Sequence, residues 1–157
     1  MTEFDLILLA RAALAAALGF VIGWERETCG SPAGDRTNAL VGLGAAVFTA
    51  LALDLFPQET GRVIAGVATR VRFLGGAGGV ILRQSTGEVR GLTTAAGIWS
   101  VAALGVVVGA GRYWTGLILA ALILLILVWE EIPGLARIGY NKRRAAQRRT
   151  ESGQDPP

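Results

Sequence analysis

The stretch "LILAALILLILVW", residues 117–129, decides the class of this protein. A helix formed by this stretch is apolar on every side, because no polar residue interrupts it. A surface helix of a water-soluble bundle needs a polar face, whereas a helix surrounded by lipid does not. The stretch therefore predicts a transmembrane helix and argues against the alternative, a soluble all-helical bundle.

Four further apolar blocks precede this one, and 52% of the 157 residues are hydrophobic. Each block is long enough to cross a membrane, since a helix of about 20 residues spans a hydrocarbon core of ~30 Å. We therefore predict an all-α membrane protein, a five-helix transmembrane bundle formed by residues 1–135. Residues 136–157 are predicted to be a basic cytoplasmic tail, disordered in part. The predicted spans are 6–24, 38–56, 63–82, 92–110 and 113–131.

The distribution of basic residues predicts the orientation. With five spans and the N-terminus outside, Arg62 and Arg112 lie outside and ten other basic residues lie inside. This bias agrees with the positive-inside rule and places the tail "NKRRAAQRR", residues 141–149, in the cytoplasm. A re-entrant third block would put the N-terminus inside with a similar bias, so charge alone leaves both topologies open. Because no aromatic residue lies among the basic residues of 141–149, we expect this stretch to contact anionic lipid and not nucleic acid.

The third block contains "VATRVRFLGGAGGVILR", residues 67–83, in which Arg70 and Arg72 precede four glycines. An arginine near the middle of a bilayer costs about 2.5–3.5 kcal/mol on insertion scales. Each glycine costs roughly 1 kcal/mol of helix stability relative to alanine. Both costs fall if the helix is broken and shielded from lipid by its neighbours. We therefore predict a Gly-rich, broken third helix with its interruption near residues 75–79.

The two arginines also need counter-charges. We expect Asp54, Glu59, a lipid phosphate or a carboxylate of a partner to neutralise Arg70 and Arg72. Two other arrangements stay open. In one, glycine N–H groups and a guanidinium form an anion-binding nest, and in the other the arginines snorkel outward while the glycines serve close packing.

Glycines four residues apart recur in three of the blocks. Helices in a bilayer associate through close backbone approach and van der Waals contact, because lipid is as apolar as their side chains. These glycines are therefore predicted to mark helix-packing faces. They are Gly19 and Gly23, Gly75 and Gly79, and Gly105 and Gly109.

Polar residues gather at the ends of the spans, in "GWERETCGSPAGDRTNALVGLGAAVF" (residues 23–48) and "VRGLTTAAGIW" (residues 89–99). In one interpretation they pair at the membrane surface, with Asp35 or Thr37 capping the second helix and Thr93 or Thr94 the fourth. In the other they form a docking or ion-contact surface. The candidate functional residues are Glu25, Arg26, Glu27, Asp35, Arg36, Thr37, Asn38, Asp54, Arg70, Arg72, Arg90, Thr93 and Thr94.

Four segments, "GWERE", "PAGDRTNALVGLGAAVF", "RFLGGAGGVILR" and "VRGLTTAAGIW", resemble the hallmark segments of the MgtC/SapB family of bacterial inner-membrane proteins in order and spacing. The resemblance covers residues 6–130. It implies five transmembrane helices, an external N-terminus and a role in adaptation to low magnesium. Family members are proposed as accessories of magnesium transport or as regulators of membrane machines such as the ATP synthase. Longer relatives add a C-terminal ACT-like domain, which we expect this chain to lack.

This sequence departs from the family pattern at two places. The third-span motif of the family is Gly-x-Gly-Phe-Leu-Gly-Ala-Gly, but Arg70 and Arg72 occupy the positions of its first two glycines. The run at residues 75–79 also carries two extra residues. In the loop, Asp35 stands where the family has leucine.

Composition narrows the functional classes. The chain has no histidine and one cysteine, and no nucleophile–base pair is visible, so we expect neither an enzyme nor a cofactor or metal site. A magnesium pore needs converging carboxylates or carbonyls, whereas Arg11, Arg70 and Arg72 place positive charge within the spans.

The sequence therefore favours a non-catalytic protein that regulates or docks on another membrane protein. A magnesium or other ion transporter is the alternative. The expected partners are membrane lipids and another membrane protein, for which the resemblance suggests the ATP synthase. A homo-oligomer stays open, and no nucleic acid is expected.

Overall fold

The computed structural model describes residues 2–76, 82–83 and 89–128, with side chains for 2–71 and 91–128. These residues form five α-helices and one pair of short antiparallel strands. A 3-10 helix, Pro57–Glu59, joins α2 to α3. The helices are α1 (Glu3–Thr28), α2 (Asp35–Leu55), α3 (Thr60–Gly76), α4 (Leu92–Gly109) and α5 (Tyr113–Val128), and the strands are β1 (Leu82–Arg83) and β2 (Val89–Arg90).

The all-α membrane class predicted from the sequence is confirmed. Within the described ranges, α1, α2 and α4 are long and apolar enough to cross a membrane, and α5 is a shorter apolar helix. Large apolar side chains point outward, as a lipid environment requires, and Trp114 and Leu40 are 80% and 68% exposed.

Close backbone contact holds α1, α2 and α4 together. A Cβ added to Gly19 of α1 would lie 2.5 Å from the carbonyl oxygen of Asn38 in α2. A Cβ on Gly109 of α4 would lie 2.5 Å from the carbonyl oxygen of Ala46, and one on Gly105 would collide with the carbonyl oxygen of Gly42. Glycine therefore lets these helices approach backbone to backbone, which is the arrangement that favours association in lipid.

The third helix is interrupted. α3 ends at Gly76 and Leu82 already belongs to β1, so the helix does not continue through the predicted span 63–82. The predicted bounds of that span are wrong, because the helix starts at Thr60 and stops inside the glycine run. Gly79 lies outside the described residues, and Gly75 is described only as backbone of α3.

The third segment passes from one end of the bundle to the other. It starts where α2 ends, and it leads to α4, whose Thr94 hydroxyl lies 2.9 Å from that of Ser31 in the α1–α2 loop. α3 packs against α2 and α4 on the way. Since the loop containing Ser31 precedes α2, the two termini of the third segment lie at opposite ends. The re-entrant alternative is therefore not supported.

Arg11, an intramembrane charge in the sequence, is bound by the end of α4. Its Nη1 donates to the carbonyl oxygen of Gly109 (2.9 Å) and its Nε to the hydroxyl of Tyr113 (3.2 Å). A cation at a helix C-terminus is stabilised by the unpaired carbonyls and the helix dipole. Arg11 thus ties α1 to the turn between α4 and α5.

Candidate functional site

The C-terminal end of α1, the loop after it and the first turns of α2 and α4 meet at one end of the bundle. We call this group of polar side chains the loop cluster. It consists of Glu25, Arg26, Glu27, Ser31, Asp35, Asn38 and Thr94.

The loop begins at a sharp stop of α1. Gly30 adopts a positive φ of 71°, a conformation that strains most residues other than glycine. Its N–H donates to the carbonyl oxygen of Glu27 (3.0 Å), and that of Ser31 donates to the carbonyl of Arg26 (2.9 Å). These two bonds form a Schellman motif. The motif turns the chain back toward the start of α2.

Glu25 and Arg26 form an ion pair inside the cluster. Arg26 Nε donates to Glu25 Oε2 (2.5 Å), and Arg26 Nη2 pairs with Glu25 Oε1. The two side chains are only 14% and 12% exposed. Charges removed from water to this extent require a partner, and a guanidinium that binds both oxygens of a carboxylate supplies one in a fixed orientation.

Glu27 stabilises the beginning of α2. The residue at the N-cap is Gly34, which has no side chain to accept a bond, and the N–H of Asp35 donates to Glu27 Oε2 (3.2 Å). A carboxylate at this position is also favoured by the positive end of the helix dipole. Asp35 is the first residue of α2 and not its N-cap, but its Oδ1 accepts from the N–H of Arg36 (2.5 Å), so the expectation that Asp35 or Thr37 caps α2 holds in part for Asp35.

Asn38 and Thr94 fix the loop between the helices. The buried Asn38 Nδ2 donates to the carbonyl oxygens of Ala33 (3.1 Å) and Gly34 (2.8 Å). The hydroxyl of Thr94, also buried, bonds to that of Ser31. The N-cap of α4 is Gly91 with no side-chain bond, so the expectation that Thr93 or Thr94 caps α4 is wrong. Thr94 instead joins α4 to the loop.

Other predicted residues lie around or away from the cluster. Arg36, Thr37 and Thr93 are exposed at the same end of the bundle. Asp54 is exposed at the opposite end, near the exposed ion pair of Glu59 with Arg62 (2.9 Å). The side chains of Arg72 and Arg90 lie outside the described residues.

Arg70 is exposed on α3 and forms no ion pair with any described side chain. Of the four predicted counter-charges, neither Asp54 nor Glu59 pairs with Arg70, whereas a lipid phosphate or a carboxylate of a partner stays a prediction. Glu59 pairs with Arg62 because both side chains lie on the first turns of α3 and its 3-10 extension, three residues apart.

Sequence reasoning missed one member of the site, Ser31, and the role of another, Glu27. Ser31 was not among the candidates, because its hydrogen bond to Thr94 joins residues far apart in sequence. Glu27 was among the candidate residues, but its role as the cap of α2 was not predicted. The signal for this role was Gly34, directly before the polar start of α2. A glycine N-cap has no side chain to accept a hydrogen bond, so the first N–H groups of the helix need an acceptor from another part of the chain.

The cluster offers charges and hydrogen-bonding groups in fixed positions. Among the described residues, no three His, Cys, Asp or Glu side chains are grouped closely enough to hold a metal ion. The buried members order the loop, while Glu27, Arg36 and Thr37 remain exposed. The end of the bundle that carries the loop cluster can therefore bind a complementary polar or charged surface of another molecule.

We predict that Asn38→Leu destabilises the protein by about 1–3 kcal/mol, because the buried amide no longer donates to the carbonyls of Ala33 and Gly34, and within the described residues only Gly34 keeps a bond, from the backbone N–H of residue 38. Chemical denaturation in detergent micelles, followed by circular dichroism, measures this loss. Thr37→Val is the matched control, since Thr37 is the exposed neighbour on the same helical turn. Equal stabilities of the two variants would show that the Asn38 bonds do not order the loop.

Comparisons with known proteins agree with this architecture. A model described as the MgtC family matches residues 12–132. The chain is 39% identical over 136 residues to the "Putative magnesium transporter YhiD" of Escherichia coli, covering 81% of this chain and 60% of YhiD. It is 42% identical over 124 residues to "Protein MgtC" of Salmonella typhimurium, covering 79% and 52%.

A third relative is "Protein SrpB" of Synechococcus elongatus, 41% identical over 122 residues that cover 69% of this chain and 66% of SrpB. The chain thus spans less than two thirds of the length of each of these relatives. No solved structure matches it.

Proposed function

This chain belongs to the MgtC family and is a multi-pass bacterial membrane protein, and on that premise we propose that it regulates another membrane protein by docking on it. The proposed role is non-catalytic and belongs to adaptation to low magnesium. The link to magnesium comes from the name of the Escherichia coli relative, a putative magnesium transporter. The ATP synthase is the candidate partner that the resemblance suggests.

The order of the loop cluster is the observation that carries this proposal. The bonds of Asn38, Ser31 and Thr94 hold the loop before any partner arrives. A surface that is already ordered loses less conformational entropy on binding than a flexible one. Arg36 and Thr37, both exposed beside this ordered loop, provide contacts for a partner.

The proposed orientation puts the N-terminus outside and the loop cluster in the cytoplasm. With the third segment crossing the bundle, Arg26, Arg36, Arg83 and Arg90 share one side, whereas Arg62 and Arg112 lie on the other. The positive-inside rule assigns the first side to the cytoplasm of a bacterial inner membrane.

A growth experiment tests the docking role. In a strain lacking this gene, we expect the wild-type chain to restore growth in low magnesium and Arg36→Glu to fail, because the reversed charge repels the partner surface. Arg112→Glu, an equally exposed reversal at the opposite end, is the matched control and should restore growth. Immunoblotting confirms equal amounts of each variant in the membrane. If Arg36→Glu restores growth as well as Arg112→Glu, the loop surface does not act in docking.

Ion transport is the second candidate, favoured by the name of the Escherichia coli relative. Liposomes containing only this protein and an internal magnesium dye separate the two candidates. Docking predicts no flux above empty liposomes, and a protein-dependent, saturable magnesium flux would make transport the function.

A further inference from the structure

A groove of about 760 Å³ runs between α2 and α3. Its walls are apolar, with Leu40, Phe48, Val63 and Val67 among the lining residues. Leu40 and Phe48 are 68% and 60% exposed, so no described part of the chain covers this side. The volume and the apolar walls suit a hydrocarbon chain.

Two glycines give the groove its width. Gly44 of α2 and Gly66 of α3 both line it, and a Cβ added to either would meet no atom within 4 Å. They differ from Gly42 of α2, whose added Cβ would lie 2.7 Å from the carbonyl oxygen of Ala15. Gly44 and Gly66 therefore serve no helix contact among the described residues, and they leave space between the helices.

The two ends of the groove differ in charge. At one end Glu59 and Arg62 neutralise each other. At the other, Arg70 lines the groove with no described ion partner. The helix rises about 9 Å between Arg70 and the end of α3 at Gly76, so Arg70 lies in the half of α3 that is farther from the Glu59–Arg62 pair. An occupant complementary to this groove is apolar along its length and anionic at the Arg70 end.

We propose that this groove binds one anionic phospholipid, with an acyl chain between α2 and α3 and the headgroup phosphate on the guanidinium of Arg70. Arginine suits this role because its planar group donates two parallel bonds to phosphate oxygens. The binding site would also explain how the chain tolerates Arg70 beside lipid, since the phosphate supplies the missing counter-charge.

Native mass spectrometry of the full chain in detergent, titrated with phosphatidylglycerol, tests this site. We expect one lipid to remain bound to the wild type and to be preferred over phosphatidylethanolamine, whose headgroup carries no net charge. Arg70→Gln should weaken binding of phosphatidylglycerol about tenfold, the effect of losing one charge-assisted contact. Arg112→Gln, which removes an exposed arginine that does not line the groove, should leave binding unchanged.

A second pair of variants tests the apolar part. Gly66→Leu fills the groove and should abolish retention of the lipid, whereas Gly61→Leu, on the same helix but not lining the groove, should not. Circular dichroism shows whether each variant keeps its helices. The proposal fails if Arg70→Gln and Gly66→Leu hold phosphatidylglycerol like the wild type. It also fails if the wild type appears as a dimer that Gly66→Leu dissociates, because a second copy then occupies the groove.

Discussion

Gly105→Ala is expected to lower the free energy of unfolding by about 3 kcal/mol, the upper end of the range for overpacked positions. The added methyl group would collide with the carbonyl oxygen of Gly42 and lie 2.7 Å from Cβ of Ala45. A backbone oxygen inside a helix cannot rotate away, so α4 must move off α2. Because van der Waals contact holds helices together in lipid, this separation removes much of the association energy.

Gly97→Ala is the matched control for Gly105→Ala. Both glycines lie in α4 and both are buried, but a Cβ on Gly97 meets no atom within 4 Å. Denaturation by sodium dodecyl sulfate, starting from a mild detergent, measures both variants. Equal stabilities of the two would mean that α2 and α4 do not approach as closely as described.

Arg26→Met is expected to destabilise the protein by about 3 kcal/mol, because the carboxylate of Glu25, only 14% exposed, keeps among the described side chains no more than the contact with Cys29 Sγ (3.5 Å). The exposed pair of Glu59 and Arg62 provides the contrast. Its side chains are 54% and 84% exposed, so Arg62→Met should change stability by about 0–1 kcal/mol.

The double variant Glu25→Gln with Arg26→Met separates the charge from the packing. Removing both charges should recover part of the stability lost in Arg26→Met, because no unpaired charge remains. The same denaturation experiment measures the cycle. A loss in the double variant as large as the sum of the two single losses would show that the pair is not coupled.

The sequence alone predicted the all-α membrane class, the five helices and the break in the third helix. Apolar blocks of membrane-spanning length predict helices directly, since in lipid the backbone must satisfy its own hydrogen bonds. The glycines that follow Arg70 predicted the interruption, and the structure confirms that the helix stops within them at Gly76.

The details of the site could not be predicted in this way. The cap of α2 is a side chain from α1, and Thr94 bonds to a residue of the α1–α2 loop. Such contacts depend on how the helices pack, and the local sequence carries only preferences for caps. The predicted pairing of Glu59 with Arg70 was wrong for a related reason, because Glu59 has a nearer partner in Arg62.

Arg11 shows the same limit. The sequence showed Arg11 only as a positive charge inside a span. In the structure its guanidinium donates hydrogen bonds to the carbonyl of Gly109 and the hydroxyl of Tyr113. Gly111, with a φ of 78°, turns the chain so that both groups face α1. Only the packed bundle brings these elements together.

Thiol labelling tests most directly whether the loop cluster lies in the cytoplasm and the opposite end of the bundle outside. Cys29 is exposed in the α1–α2 loop, and Gln58 is exposed at the opposite end of the bundle. In intact cells, a membrane-impermeant maleimide should leave Cys29 unmodified and should label Gln58→Cys in a Cys29→Ser background. Inverted membrane vesicles should give the reverse pattern. Labelling of Cys29 in intact cells, with Gln58→Cys protected, would contradict the account.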